Sequence, residues 1–206
     1  MKTHFSLSPS SFILPTMSQS TYLETSWVDP RLEKRPSPIH GTGVFATHAI
    51  RAGERLVIPG GIVFTGEDRK AGRVHLDPSK TYNEDQLDED LFMVMLIDED
   101  IGYWFSHSCD PNFWGDVARR DIAADEEITT DYALCIADED YCLAPCRCGT
   151  SLCRHQITGN DWKLPELQQR YRGHFVPFIE RRIQALNEKE VIHEHHHKTT
   201  VAAQRI

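Results

Sequence analysis

Three of the six cysteines in this chain fall within eight residues, in CRCGTSLC at positions 146–153. Thiols that merely fill a core have no need of such spacing, whereas thiolates gathered round a metal do. Gly149 permits a tight turn between Cys148 and Cys153. A structural zinc takes four ligands in a tetrahedron, so Cys146, Cys148 and Cys153 require a fourth from elsewhere. Cys109 is the favoured donor because Pro111 fixes a turn beside it, with Cys135 and Cys142 as alternatives. At 206 residues the chain can build one compact domain plus tails and bury a core without disulfides. Its first residues do not read as a secretory leader, so a metal centre in a reducing compartment is expected to account for the thiols better than a disulfide framework. A thiol nucleophile at Cys109, with His107 as its base, is the weaker reading, since neighbours in sequence rarely reach the required geometry.

The charge pattern excludes one class of partner. Lysine and arginine number 22 against 31 acids, a formal net charge of −9, which is the wrong sign for a phosphate-binding surface. The acids come in bursts, NEDQLDEDL at 83–91, DED at 98–100, DEE at 125–127 and DED at 138–140. Such bursts read as solvated faces, with attraction of a basic peptide as the functional alternative. The longest apolar run, LFMVMLI at 91–97, is far too short to cross a bilayer. The expectation is a soluble intracellular protein, cytoplasmic or nuclear, with no direct nucleic-acid or membrane contact.

Along the chain, residues 1–26 read as a serine-rich disordered leader and 191–206, with HEHHH at 193–197, as a solvated tail. From Trp27 short β-branched runs alternate with glycines at 41, 43, 53, 60 and 61, the pattern of short strands joined by tight turns. Residues 66–90 are polar and read as an insert with some helix. LFMVMLI reads as a buried strand or a buried helical turn, which periodicity alone does not separate. GDVARRDIAADEEITTDYAL at 115–134 carries two further short strands round a polar turn. Pro165 and Pro177 each suit the first turn of a helix. In the second, Ile179, Ile183 and Leu186 define one packing face. The fold class is mainly β with short helices.

Taken in order, HGTGVFA (40–46), FSHSCDPN (105–112), EEITTDY (126–132) and CRCGTSLC resemble the SET-domain lysine methyltransferases with a zinc-binding post-SET segment. The resemblance covers roughly residues 36–154, and GNDW and RYRGHF beyond it look like the small stand-alone members of that family. It implies a SET domain over 27–135 and a post-SET zinc segment over 136–172, and the helical pattern after them is read as a C-terminal helix over 173–190. The family fold is a set of small curved β-sheets, with the chain near FSHSCDPN passing beneath a loop to form a pseudoknot.

The resemblance also implies roles. Ser106 and His107, with the backbone around Gly41, Thr42 and Gly43, would contact S-adenosylmethionine. Tyr132 matches the catalytic tyrosine, and Cys109 the zinc ligand that joins Cys146, Cys148 and Cys153. The implied partner is a basic, lysine-containing protein or peptide. Three positions depart from the family pattern. Ser106 replaces the usual asparagine, Thr130 an aromatic residue, and Pro59, two residues before Gly61, the tyrosine of the usual Tyr-x-Gly. These departures motivate a rival from another class, a non-catalytic, zinc-stabilised SET-like module that holds a basic peptide on its acidic surface.

Overall fold

The computed structural model describes residues 22–189. Its strands are short and gathered into four small sheets, the mainly β architecture expected from the sequence. The largest sheet is built from β2 (Leu32–Pro36), β3 (Thr42–Ala46), β8 (Ser106–His107) and β9 (Glu127–Thr130), in the order β2-β3-β9-β8. β2 and β3 form a hairpin in which Arg35 pairs with Gly43 and Leu32 with Ala46. Its turn passes through Gly41 at φ +51°, a left-handed conformation that costs glycine least. Val44, Phe45 and Ala46 are buried, as expected of an apolar, β-rich run at the centre of a sheet.

A second antiparallel sheet joins β5 (Ile62–Thr65), β6 (Tyr82–Asp88) and β7 (Leu91–Leu96) in the order β5-β7-β6, with β7 at its centre. LFMVMLI is therefore a strand, paired on both edges, with Met93, Val94 and Met95 buried. The polar insert departs from expectation. A single helical turn, α1 (Gly66–Lys70), is closed by a Thr65–Asp68 capping box, but the acidic run at 82–88 is a strand. Its neighbour β7 supplies backbone partners for all but one of its residues, so the ladder overrides weak local β-propensity. Nor are all its acids free in solvent: Glu84 pairs with Arg69, Asp88 with Arg181, and Glu89, just beyond the strand, with Arg182.

Two minor ribbons pair β1 (Trp27–Val28) with β4 (Val57–Ile58), and β10 (Cys142–Leu143) with β11 (Ile157–Thr158). The expected pair of strands within 115–134 reduces to β9 alone. Residues 117, 118 and 122 make isolated bridges to Arg55, Phe113 and Ile50, while Gly115 and Asp125, both at positive φ, interrupt any longer ladder. Of the expected leader, residues 1–21 lie outside the described residues. Leu23, however, bridges Gly60 and Ser26 bonds Gly60, so part of that leader is ordered. The 191–206 tail also lies outside the described residues. No helix among the described residues is long and apolar enough to cross a membrane.

Both proline signals hold: α2 (Pro165–Arg170) begins with Pro165, and a second helix, α3, runs over 177–189. Ile179 and Ile183 are buried and Leu186 packs beside them, against Leu134, Trp162, Leu167 and Tyr171. This cluster is distinct from the one beneath the main sheet, formed by Val44, Ile50, Leu56, Phe113 and Ile128. The C-terminal helices thus rest on Ala133 and Leu134, next to Tyr132. Ile179 is fully buried, so Ile179→Ala should cost about 2–5 kcal/mol in a denaturant titration, with the cost depending on how far the cavity collapses.

Candidate active site and metal centre

Cys109, Cys146, Cys148 and Cys153 place their ligand atoms all within 4.8 Å of one another. Four sulfurs each about 2.3 Å from a central zinc stand about 3.8 Å apart, so the set fits a tetrahedral ion with little movement. Cys109 is fully buried and the other three are partly buried. The backbone N–H of Arg154 donates to Cys109 Sγ at 3.3 Å and that of His155 to Cys153 Sγ at 3.4 Å, as suits thiolates. Without a cation, burial pushes the Cys109 thiol well up and Cys146 up to about 11. At Cys148 burial works the same way, but the Thr150 hydroxyl and nearby backbone N–H groups draw it down to about 6. A divalent ion at the centre would favour all four thiolates together. Cys135 and Cys142, the alternative fourth ligands, are not part of this set; Cys142 Sγ instead accepts from Gln156 Nε2.

The segment carrying Cys109 is laced to the one carrying Tyr132. β8 runs parallel to β9, pairing Ser106 with Thr129 and His107 with Thr130. Beyond that pairing, the N–H of Ser108 donates to Thr130 O and that of Phe113 to Thr129 O. Asn112 reaches across as well, accepting from the Thr129 N–H and donating to Glu127 O.

His107 is buried, and both ring nitrogens are engaged within the protein. Nδ1 accepts the backbone N–H of Tyr132 at 3.2 Å, which puts the ring proton on Nε2, 3.3 Å from Cys109 Sγ. Burial holds the imidazole down to about 4, against the pull of Asp131, so it stays neutral at physiological pH. Its side chain therefore links the thiol cluster to Tyr132, and any cofactor contact here falls to its backbone. Tyr132 opens a 3-10 turn over Tyr132–Leu134 and donates its hydroxyl to Phe105 O at 2.9 Å. Burial, reinforced by Tyr141, Cys135 and Tyr103, pushes its phenol upward, which makes it a fixed donor rather than a base.

Asp131 and Arg154 lie beneath this pair and were not singled out in the sequence. Asp131 is fully buried. It accepts Arg154 Nη1 and Nη2 at 2.7 and 2.8 Å, the Tyr171 hydroxyl at 2.9 Å and the Ala133 N–H at 3.0 Å. Burial alone would raise this carboxyl, but Arg154 more than offsets it and holds the group below the usual carboxylate range. Arg154 Nε donates to Asp161, so the guanidinium is held on two carboxylates. The only signals in the sequence were an aspartate directly before Tyr132 and an arginine directly after Cys153.

The glycine loop meets the same region through another missed residue, Glu127. Its Oε1 accepts the hydroxyls of Ser106 at 2.5 Å and Ser37 at 2.8 Å. A Cβ on Gly43 would lie 2.2 Å from that oxygen, so glycine here makes room for the carboxylate. Glu127 Oε2 is buried with no hydrogen-bond partner among the described residues. Thr42 is half-buried and Gly41 exposed. Pro59 lies exposed between β4 and β5, and Gly61 packs its backbone against Val94 O.

Residues 41–133 match the family model described as SET domain. The chain is 28% identical over 134 residues to "Histone-lysine N-methyltransferase trithorax" of Drosophila virilis, covering 59% of this chain and 3% of that protein. It is 28% identical over 177 residues to "Histone-lysine N-methyltransferase ATX2" of Arabidopsis thaliana, covering 76% and 15%. Human "Histone-lysine N-methyltransferase 2B" is 30% identical over 139 residues, covering 57% and 5%. The laced β8–β9 core, its small sheets and these matches agree: residues 41–133 form a SET domain, similar to that of the histone-lysine methyltransferases named above. It spans 15% or less of the length of these relatives.

Because Cys109 is the one thiol supplied from outside the 146–153 loop, Cys109→Ser should release bound metal and loosen residues 142–172. Metal analysis and limited proteolysis check this; unchanged metal content would remove Cys109 from the ligand set.

Proposed function

We propose that the chain is an S-adenosylmethionine-dependent protein-lysine N-methyltransferase with one structural zinc, acting on a basic, lysine-containing protein or peptide. The observation that carries this reading is Tyr132, half-buried, with its hydroxyl fixed on Phe105 O and its backbone tied to His107, inside a matched SET domain. The relatives' names supply the reaction class, and the acidic surface suits a cationic substrate.

S-adenosylmethionine would supply an activated methyl on a sulfonium. Ser106 and His107 of β8, with the Gly41–Gly43 backbone, form the proposed contacts. Glu127 Oε2, a buried acceptor without a donor among the described residues where Gly43 and Ser106 converge, suits a cofactor that brings positive charge. The four cysteines would hold zinc in a structural role, since a full set of thiolates leaves no position open for substrate.

The amine must reach the methyl group neutral. Free lysine, with a pKa near 10.4, is almost wholly protonated at neutral pH, a deficit of roughly 4–5 kcal/mol. An apolar, aromatic approach penalises the ammonium, and the neighbouring sulfonium penalises it further. Tyr132 stands T-shaped to Tyr141, ring centroids 6.2 Å apart, and exposed Tyr103 lies close enough to influence its phenol. These rings supply such a lining. The Tyr132 hydroxyl, kept protonated and aimed, then orients the reacting groups without acting as a base.

Tyr132→Phe removes that hydroxyl and one hydrogen bond. It should lower methyl transfer to lysine peptides by about a hundredfold or more, against a stability loss of only about 1 kcal/mol. Transfer of a labelled methyl group, read beside a thermal melt, checks both. Undiminished transfer would contradict the role given to Tyr132, and no transfer by folded wild-type protein to any basic peptide would favour the binding module.

A further inference from the structure

The contacts around the thiol cluster close into a ring. Cys109 Sγ meets His107 Nε2, His107 Nδ1 takes the Tyr132 N–H, Tyr132 follows Asp131, Asp131 holds the Arg154 fork, and the Arg154 N–H returns to Cys109 Sγ. Two routes therefore run from the thiols to Tyr132. One passes through the imidazole; the other passes through Arg154 and needs no cofactor.

We propose that Arg154 is a positioning residue that transmits metal occupancy at the four cysteines to the backbone of Tyr132. Arg154 directly follows Cys153, so its backbone is placed wherever the metal places that ligand. The guanidinium then fixes Asp131 through two parallel bonds at 2.7 and 2.8 Å, a geometry that tolerates little rotation. Asp131 caps the turn that begins at Tyr132 by accepting the Ala133 N–H, so its orientation sets that of the turn. Asp161 and Tyr171 brace the fork from the other side, bringing the C-terminal helices into the same assembly. With the thiols released, Arg154 loses its anchor at Cys109 and Asp131 loses its fixed partner.

This role of Arg154 lies beyond methyl transfer and is tested without it. The readout is hydrogen exchange of the Tyr132 amide, which is bonded to His107 Nδ1, measured on the full chain with zinc bound and after chelation. Wild type should exchange slowly with zinc and about tenfold or more faster without it. Arg154→Met alone leaves Asp131 buried and unpaired and can unfold the protein, so the decisive variant is the double substitution Asp131→Asn with Arg154→Met, which removes that ion pair while Asp161 keeps its bonds from the Thr158 N–H and hydroxyl. That variant keeps all four thiols and should bind one zinc per chain. Its Tyr132 amide should exchange rapidly whether or not zinc is present. The proposal is overturned if the double variant shows the wild-type contrast, or if zinc leaves the wild-type amide unchanged. Failure of the double variant to hold zinc would also overturn it, since Arg154 would then be part of what builds the metal site.

Discussion

The Asp131–Arg154 pair is the contact through which the remaining parts of the site reach one another. A fully buried carboxylate is expensive, and breaking such a pair by removing one partner typically costs about 3–5 kcal/mol because the other charge is left stranded. Here every acceptor direction of Asp131 is used, by two guanidinium nitrogens, a tyrosine hydroxyl and a backbone N–H. The arrangement joins three distant stretches of chain: the turn that begins at Tyr132, the cysteine loop, and the helical segment carrying Tyr171. Among the described residues neither apolar cluster includes a residue of the 146–153 loop, so the ion pair does there what a core does elsewhere.

That dependence explains why the thiol cluster and the proposed transfer site share one decapeptide. FSHSCDPNFW places Phe105 O beneath the Tyr132 hydroxyl, Ser106 against Glu127, His107 between Tyr132 and Cys109, and Cys109 among the thiols. Each residue is short of alternatives because β8 is only two residues long and is pinned to β9. The imidazole is spent on this internal linkage. Ser106, where the family usually has asparagine, is likewise spent on Glu127, and through Ser37 it ties the glycine hairpin to the same carboxylate.

Much of this was legible in the sequence, for reasons that differ by residue. The thiol cluster could be read because ligand spacing is a local pattern, and Cys109 because a proline turn stands beside it. The two C-terminal helices could be read because Pro165 and Pro177 mark their starts and an isoleucine stripe marks the buried face. The strand at 82–88 could not, since its acids hide a pairing that only β7 dictates. Asp131, Arg154 and Glu127 are single charges among many in an acidic chain. What distinguishes them is burial and mutual geometry, neither of which has a one-dimensional signature. Gly43 was legible only as part of a backbone contact implied by the resemblance; the Glu127 carboxylate packed where its Cβ would lie had no signal in the sequence.

Whether a metal-ordered SET site binds a methyl-donor cofactor is best decided by calorimetric titration with S-adenosylhomocysteine. Zinc-loaded protein should bind in the micromolar range, about −8 kcal/mol, and the same protein stripped of zinc should bind far more weakly. A folded, zinc-loaded sample that shows no binding would contradict cofactor binding at this site.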